Sequence, residues 1–198
     1  MVEKEVSMTI RIPEGVEIDA KGHTVTVKAN GEDHVREFKS HRLNIETKDN
    51  SIILTGSPVN KQTSALLMTV IAHIKNMITG LKLGYNYKMK VTYSHFPMTV
   101  EVKEKIVQIN NFLGEKFPRK ANIVGNTKVA VKGQEVNLTG RKIEDVSQTA
   151  ANIEQATKVR GKDIRRYTDG IFIVEKKHLE DGAEITIEVI RGKEWYYD

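Results

Sequence analysis

The chain has 198 residues, of which 39% are hydrophobic, 29% charged and 6% aromatic, and its net charge is +5. That length allows one large domain or two small ones, with enough apolar material for a core. The absence of cysteine excludes disulfides, thiolate nucleophiles and cysteine-ligated zinc. No uninterrupted apolar run of about 18 residues is available to cross a membrane, and residues 1–6 lack the apolar centre of a signal peptide, so an intracellular, cytoplasmic protein is expected.

Alternation predicts a strand in which Met8, Ile10 and Ile12 share one face, broken by Pro13-Glu14-Gly15. Residues 24–28 alternate again, and Asn30-Gly31 turns the chain toward a strand at 35–38. Residues 44–56 read as strand, two-residue turn at Asp49-Asn50, and strand. After Pro58, Leu67, Val70, Ile71, Ile74, Met77, Ile78 and Leu81 recur at helical spacing, with Gly80 as the expected stop. Next, Tyr85, Tyr87, Met89, Val91 and Tyr93 share one strand face while Lys88, Lys90 and Thr92 share the other. Phe96-Pro97 ends that strand, residues 98–103 echo residues 24–28, a strand at 106–109 follows, and Phe112 and Leu113 read as core. Residues 128–140 again read strand, turn at Gly133-Gln134, strand. A second helical stripe, Ile143, Val146, Ala150, Ile153 and Thr157, carries Glu144 and Asp145 in its first turn, where carboxylates suit the helix dipole, and Gly161 is its expected stop. Strands at 171–174 and 185–189 complete the pattern.

Two of these segments are copies. At an offset of 84, Ile45 meets Val129, Lys48 meets Lys132, and Leu54-Thr55-Gly56 meets Leu138-Thr139-Gly140 without a gap. Such a period is too long for a solenoid and marks a tandem duplication. The expected fold is α+β: two copies of a small, mostly antiparallel sheet with one long helix packed on one face. The expected divisions are residues 1–83, residues 84–178, and a C-terminal strand with an aromatic tail at 179–198, where Trp195, Tyr196 and Tyr197 call for a surface on which to dock.

Catalytic signatures are missing. The histidines do not stand at metal-ligand spacing, and there is no phosphate loop, dinucleotide glycine motif or nucleophile elbow. His73 reads as a packed or edge residue of the first helix. Asn137-Leu138-Thr139 matches a glycosylation acceptor by chance, since it falls in a predicted strand. An enzyme would need a dispersed acid/base pair, such as Asp163 or Asp169 beside an arginine. No catalytic residue, metal or cofactor is assigned.

Charge is segregated instead. Residues 1–49 hold 8 bases and 10 acids, residues 50–177 hold 21 and 10, and residues 178–198 hold 2 and 6. A basic middle between acidic ends points to a polyanion. Its densest part is Lys158, Arg160, Lys162, Arg165 and Arg166, with Tyr167 following and Gly161 and Gly170 as the bounds of the loop. A loop there lets several guanidinium forks converge on phosphates, while Tyr167 stacks on a base or lies against a sugar. Lys88 and Lys90 on one strand face, Lys116, Arg119 and Lys120 around Pro118, Arg141 and Lys142 ahead of the second helix, and Lys176 and Lys177 extend the basic surface.

These residues also carry a family resemblance. Asn76-Met77-Ile78-Thr79-Gly80, Gly84-Tyr85-Asn86-Tyr87-Lys88-Met89-Lys90, Ser94-His95-Phe96-Pro97-Met98, Asn111-Phe112-Leu113-Gly114-Glu115, Glu144-Asp145-Val146-Ser147-Gln148 and Arg160-Gly161-Lys162-Asp163-Ile164-Arg165-Arg166 resemble the sixth large-subunit ribosomal protein family in its archaeal and eukaryotic form. The first hairpin, residues 28–34, departs from it, lacking the family's Gly-Pro pair with a basic residue. The resemblance implies a two-domain structural protein of the large ribosomal subunit, not an enzyme. It implies binding of large-subunit rRNA, mainly by the second domain, near the sarcin–ricin loop and the stalk base. Neighbouring ribosomal proteins are the other implied partners, with translational GTPases as candidates in the assembled ribosome; no membrane or small-molecule substrate is implied. The rival reading is a free-standing RNA-binding module outside the ribosome.

Overall fold

In the computed structural model residues 5–48, 50–94, 96–179 and 185–191 are described. They form two units, one holding the residues up to Lys82 together with 185–191, the other running from Leu83 to Leu179. In the first unit, β1 (Val6–Arg11) turns Val6, Met8 and Ile10 fully inward, as period-two geometry requires. It pairs antiparallel with β6 (Ser51–Gly56), which pairs with β5 (Leu43–Lys48). A smaller antiparallel meander of β2 (Glu17–Lys21), β3 (Thr24–Ala29) and β4 (Glu32–Glu37) adds Ile18, Val25, Val27 and Ala29 to the same core. Asn30 and Gly31 make the β3–β4 turn with φ of 53° and 78°, a left-handed pair that matches strand twist. The helix α1 (Lys61–Leu83) starts on Asn60, whose Oδ1 accepts the Thr63 N–H at 2.8 Å. Its stripe from Leu67 to Leu81 lies in that core. By length and a mean hydropathy of 1.3 the helix could cross a membrane; half of that window is buried inside the fold. It runs through the expected stop at Gly80 and ends before Gly84, where φ of +66° supplies the left-handed residue that closes a helix. His73 is indeed an edge residue, its Nε2 3.3 Å from Arg36 Nη2 and its ring 6.2 Å from that of Phe38.

The second unit repeats the plan. β7 (Tyr85–Thr92) buries Tyr85, Tyr87, Met89 and Val91 and leaves Lys88 and Lys90 outside. Burial and the nearby Glu144 carboxylate push the Tyr85 phenol up to about 12, so this ring keeps its proton in the core. Beside the sheet runs a meander of β8 (Thr99–Lys103), β9 (Ile106–Asn110) and β10 (Arg119–Asn122). β11 (Lys128–Lys132) and β12 (Glu135–Gly140) form the hairpin, α2 (Ile143–Ala156) follows, and β13 (Gly170–His178) returns to pair with β7. Finally β14 (Val189–Arg191) pairs with β1 in the first unit. The large sheets are therefore ordered β14-β1-β6-β5 and β13-β7-β12-β11, one chain plan used twice.

Two expectations shift. The echo of residues 24–28 in 98–103 is not the structural equivalence, because β8 is the counterpart of β2, and β9 of β3. The central strand of each meander is the buried one: Val25 and Val27 in β3, Val107 and Ile109 in β9, all at 0% exposure, whereas β8 is exposed along most of its length. The last strand covers 189–191 rather than 185–189, since its ladder with β1 begins only at Val189. The turn residue Asp49, His95 of the family motif and the tail at 192–198 lie outside the described residues.

The repeated Leu-Thr-Gly has a packing cause. A Cβ on Gly140 would stand 2.7 Å from Val146 Cγ2 of α2, and one on Gly56 would overlap Thr63 Cγ2 of α1. In both units the strand meets the first turn of its helix too closely for a side chain. Gly140→Ala is expected to cost about 1–3 kcal/mol by overpacking, read as a lower urea midpoint at unchanged slope.

Candidate nucleic-acid interface

The basic segment after α2 is a loop held at both ends by buried polar groups. Thr157, 2% exposed, donates its hydroxyl to Ile153 O at 3.2 Å and accepts the Ile171 N–H at 3.0 Å. The helix therefore ends at Thr157 and not at Gly161, which lies in the loop with φ of +69°. At the other end Asp169, also 2% exposed, accepts the Ser94 N–H at 2.8 Å. Between these anchors Lys158 and every residue from Arg160 to Arg166 is exposed.

The cations in this loop are not equivalent. The Asp163 carboxylate accepts the Arg165 N–H at 3.0 Å and two guanidinium contacts at 3.2 and 3.1 Å. The Arg165 side chain, and then its backbone N–H, hold the Asp163 carboxyl below the usual range. The pair is open to water and adds little stability, but it occupies Arg165. Asp163 O accepts the N–H groups of Arg166 and Tyr167 at 3.1 and 3.0 Å, closing a turn. Lys162 Nζ sits 4.6 Å from the centre of the Tyr167 ring, which is half-buried. Lys158, Arg160 and Arg166 form no ion pair among the described residues. Asp163 thus pairs with Arg165 within the loop, and Asp169 anchors its far end to Ser94.

Beside the loop lies the segment from Asn111 to Lys120. Arg119 grips Glu115 bidentately at 2.6 and 2.8 Å, donates to Ala156 O at 2.8 Å and Lys158 O at 3.2 Å, and covers the Phe112 ring at 4.1 Å. By composition Arg119 is one base among several around Pro118; Glu115 four residues earlier is the one local hint of its anchoring role, since the Ala156 and Lys158 carbonyls arrive from α2 and the loop. Arg119 chiefly, with help from Lys162, holds the Glu115 carboxyl below its ordinary value. A shallow groove of about 320 Å³ opens here, lined by Arg119, Lys120, Gln155, Ala156 and Arg160.

The remaining predicted contacts are distributed elsewhere on the unit. On the outer sheet face, Glu175 bridges Lys88 at 3.1 Å and Lys177 at 2.7 Å, and these two lysines lower its carboxyl. Lys90 stands on the same face of β7, in register with Phe172 and Glu135. A bulge between Ile173 and Glu175 shifts the register, and Lys176 Nζ lies 5.4 Å from the ring of buried Tyr87. Lys142 occupies the N-cap of α2 without a side-chain cap, with Arg141 half-buried before it and Glu144 and Asp145 in the turn after. Among the described residues no group of His, Asp and Glu gathers to hold a metal.

Comparison with known proteins fits this duplicated plan. The sequence model of Ribosomal protein L6 matches twice, at residues 12–84 and 96–170, two stretches that begin at the offset of the internal repeat. The large ribosomal subunit protein uL6 of Methanobrevibacter smithii is 48% identical over 169 residues, 85% of this chain and 94% of its own length. Those of Methanosphaera stadtmanae and Methanosarcina mazei are 46% and 43% identical, covering 89% and 87% of this chain and 96% and 98% of theirs. Likeness of that depth, along nearly the whole of both chains and through both repeats, makes this protein a member of the ribosomal protein L6 family, a structural protein of the ribosome and not an enzyme.

Proposed function

We propose that the chain is a constituent of the large ribosomal subunit, located in the cytoplasm on the ribosome, that grips large-subunit rRNA through its second unit near the sarcin–ricin loop and the stalk base. The observation that carries this reading is the run of exposed cations from Lys158 to Arg166, held between the buried anchors Thr157 and Asp169. A pinned loop presents its charges at fixed spacing, so the ordering cost is met in folding rather than in binding. Arg160, Lys162, Arg165, Arg166, Lys158 and Tyr167 form the principal contact. Lys88, Lys90, Arg141, Lys142, Lys176 and Lys177 are subsidiary, since several already have acidic or aromatic partners. Neighbouring ribosomal proteins and, in the assembled particle, translational GTPases are the further partners under this reading.

Phosphate neutralisation releases counterions, so log Kd should change with log salt at a slope of several units, roughly 0.7–0.9 per phosphate contact. The deciding experiment is RNA crosslinking in intact subunits, mapped by residue. Crosslinks from 158–167 to the sarcin–ricin region are expected. A protein that fails to sediment with large subunits in a sucrose gradient, or crosslinks confined to the first unit, would overturn the reading.

A further inference from the structure

We propose that Phe117 is an additional RNA contact, an exposed aromatic platform on which an unpaired rRNA base stacks while cations of the same segment hold the flanking phosphates. The inference rests on the rRNA-binding reading above. Phe117 is 85% exposed, the most exposed large apolar residue among the described residues. The other phenylalanines have intramolecular company: Phe112 is 1% exposed beneath Arg119, Phe38 packs on the first core, and Phe96 and Phe172 lie against Gly114 and Gly170. A single exposed apolar residue is ordinary on a protein surface. Three features set this one apart.

The first is rigidity. Arg119 clamps Glu115 across the loop, Pro118 follows the ring directly, and Asn111 Nδ2 ties the preceding turn to Pro97 O at 3.0 Å. Asn111, Leu113 and Gly114 hold φ of 58°, 50° and 78°, so the approach to Phe117 is one over-determined conformation. With the backbone constrained by such a segment, only the ring's own side-chain torsions remain to be fixed on binding. The second is charge. Lys116 and Lys120 flank the ring in sequence and are exposed, Arg160 shares the groove with Lys120, and Lys162 acts on Glu115. The nearest acid, Glu115, is already taken by Arg119. An exposed aromatic ring with exposed cations on the same segment suits a nucleotide, whose base offers a π-surface and whose backbone offers anions. An apolar protein patch would leave those cations without partners. The third is continuity: Arg119 bonds Lys158 O, so the platform is braced against the start of the basic loop.

The test uses the full chain and in vitro transcribed large-subunit rRNA, with Kd measured across a salt series. Phe117→Ala is expected to weaken binding about tenfold, in line with the loss of one base–aromatic stack, while the salt slope stays at its wild-type value because the ring carries no charge. Phe117→Trp should keep wild-type affinity. Made together with Trp195→Phe, which removes the chain's single native tryptophan, it should show indole emission quenched on binding. An exposed ring leaves the fold alone, so the melting midpoints should agree. If Phe117→Ala binds as wild type while Arg160→Ala/Arg166→Ala is weakened, no base stacks here and the rRNA reading stands without this contact. If neither variant is weakened, both fall. Normal binding to naked rRNA combined with failure to join subunits would assign the ring to a protein neighbour and overturn the proposal.

Discussion

Alanine at both Arg160 and Arg166 is expected to weaken binding to large-subunit rRNA by about 100-fold or more at moderate salt, because each loses a charge-assisted contact of about 1.5–3 kcal/mol. The log–log salt slope should fall by about 1.4–1.8, the share of two phosphates. Both side chains are exposed and neither has an ion pair among the described residues, so thermal stability should be unchanged. Arg165→Ala is the informative contrast. Its guanidinium is already shared with Asp163, so its removal also releases a carboxylate into the loop, while the backbone N–H groups that close the turn before Arg166 stay in place. Asp163→Asn, which deletes the loop's acid and keeps an acceptor for the Arg165 N–H, should tighten binding severalfold and steepen the slope. Filter binding across a salt series separates these cases. Equal effects from all three arginines would mean that the Asp163 pair does not persist in solution.

Arg119→Ala should give the largest loss of stability. The guanidinium is partly enclosed, at 26% side-chain exposure, and it satisfies the Glu115 carboxylate, two carbonyls at the end of α2 and the face of Phe112 together. Losing that hub is expected to cost about 2–4 kcal/mol, or roughly 5–15 °C in the melting midpoint. Arg119→Lys should recover little, since a point charge cannot fork to a carboxylate and also reach the helix end. Amide exchange should accelerate at 155–160. The acid limb offers an independent check. Arg119 lowers the Glu115 carboxyl, so the stability from this pair is present above the ordinary carboxylate range and is lost as pH falls through the lowered value. Arg119→Ala should therefore be less sensitive to acid than the wild type. The salt slope of RNA binding should be nearly unaffected, because this charge is spent inside the protein.

Both expectations turn on a distinction between cations that no count of lysines and arginines contains. Arg119, Arg165, Lys88 and Lys177 are engaged with carboxylates, whereas Arg160 and Arg166 are not. In the chain all six stand in the same basic stretch. The stops of the helices show a related limit. Gly80 and Gly161 were reasonable ends by residue type, yet α1 needed its left-handed residue one turn later, and the Thr157 hydroxyl ended α2 early by joining it to Ile171. The alignment of the two meanders failed in a similar way: Thr-Val-Thr-Val-Lys resembles Met-Thr-Val-Glu-Val-Lys, but the buried strand of each sheet is set by what packs over it. Phe117 carries no signal in the sequence, because an aromatic beside Pro118 reads the same whether it is core or surface.

The sequence by itself determined the duplication, the strand faces, the apolar stripes of both helices, the position of the basic segment and the family. Each of these follows from backbone repeats of 2.0 and 3.6 residues or from motifs contiguous in the chain, so neighbouring residues suffice to show them. Only the tertiary structure decided which cations remain available, where the loop is pinned, which strand of each meander is buried and which aromatic faces outward. Those properties depend on groups far apart in sequence that meet only once the chain has folded, and their strength depends on the burial that folding creates.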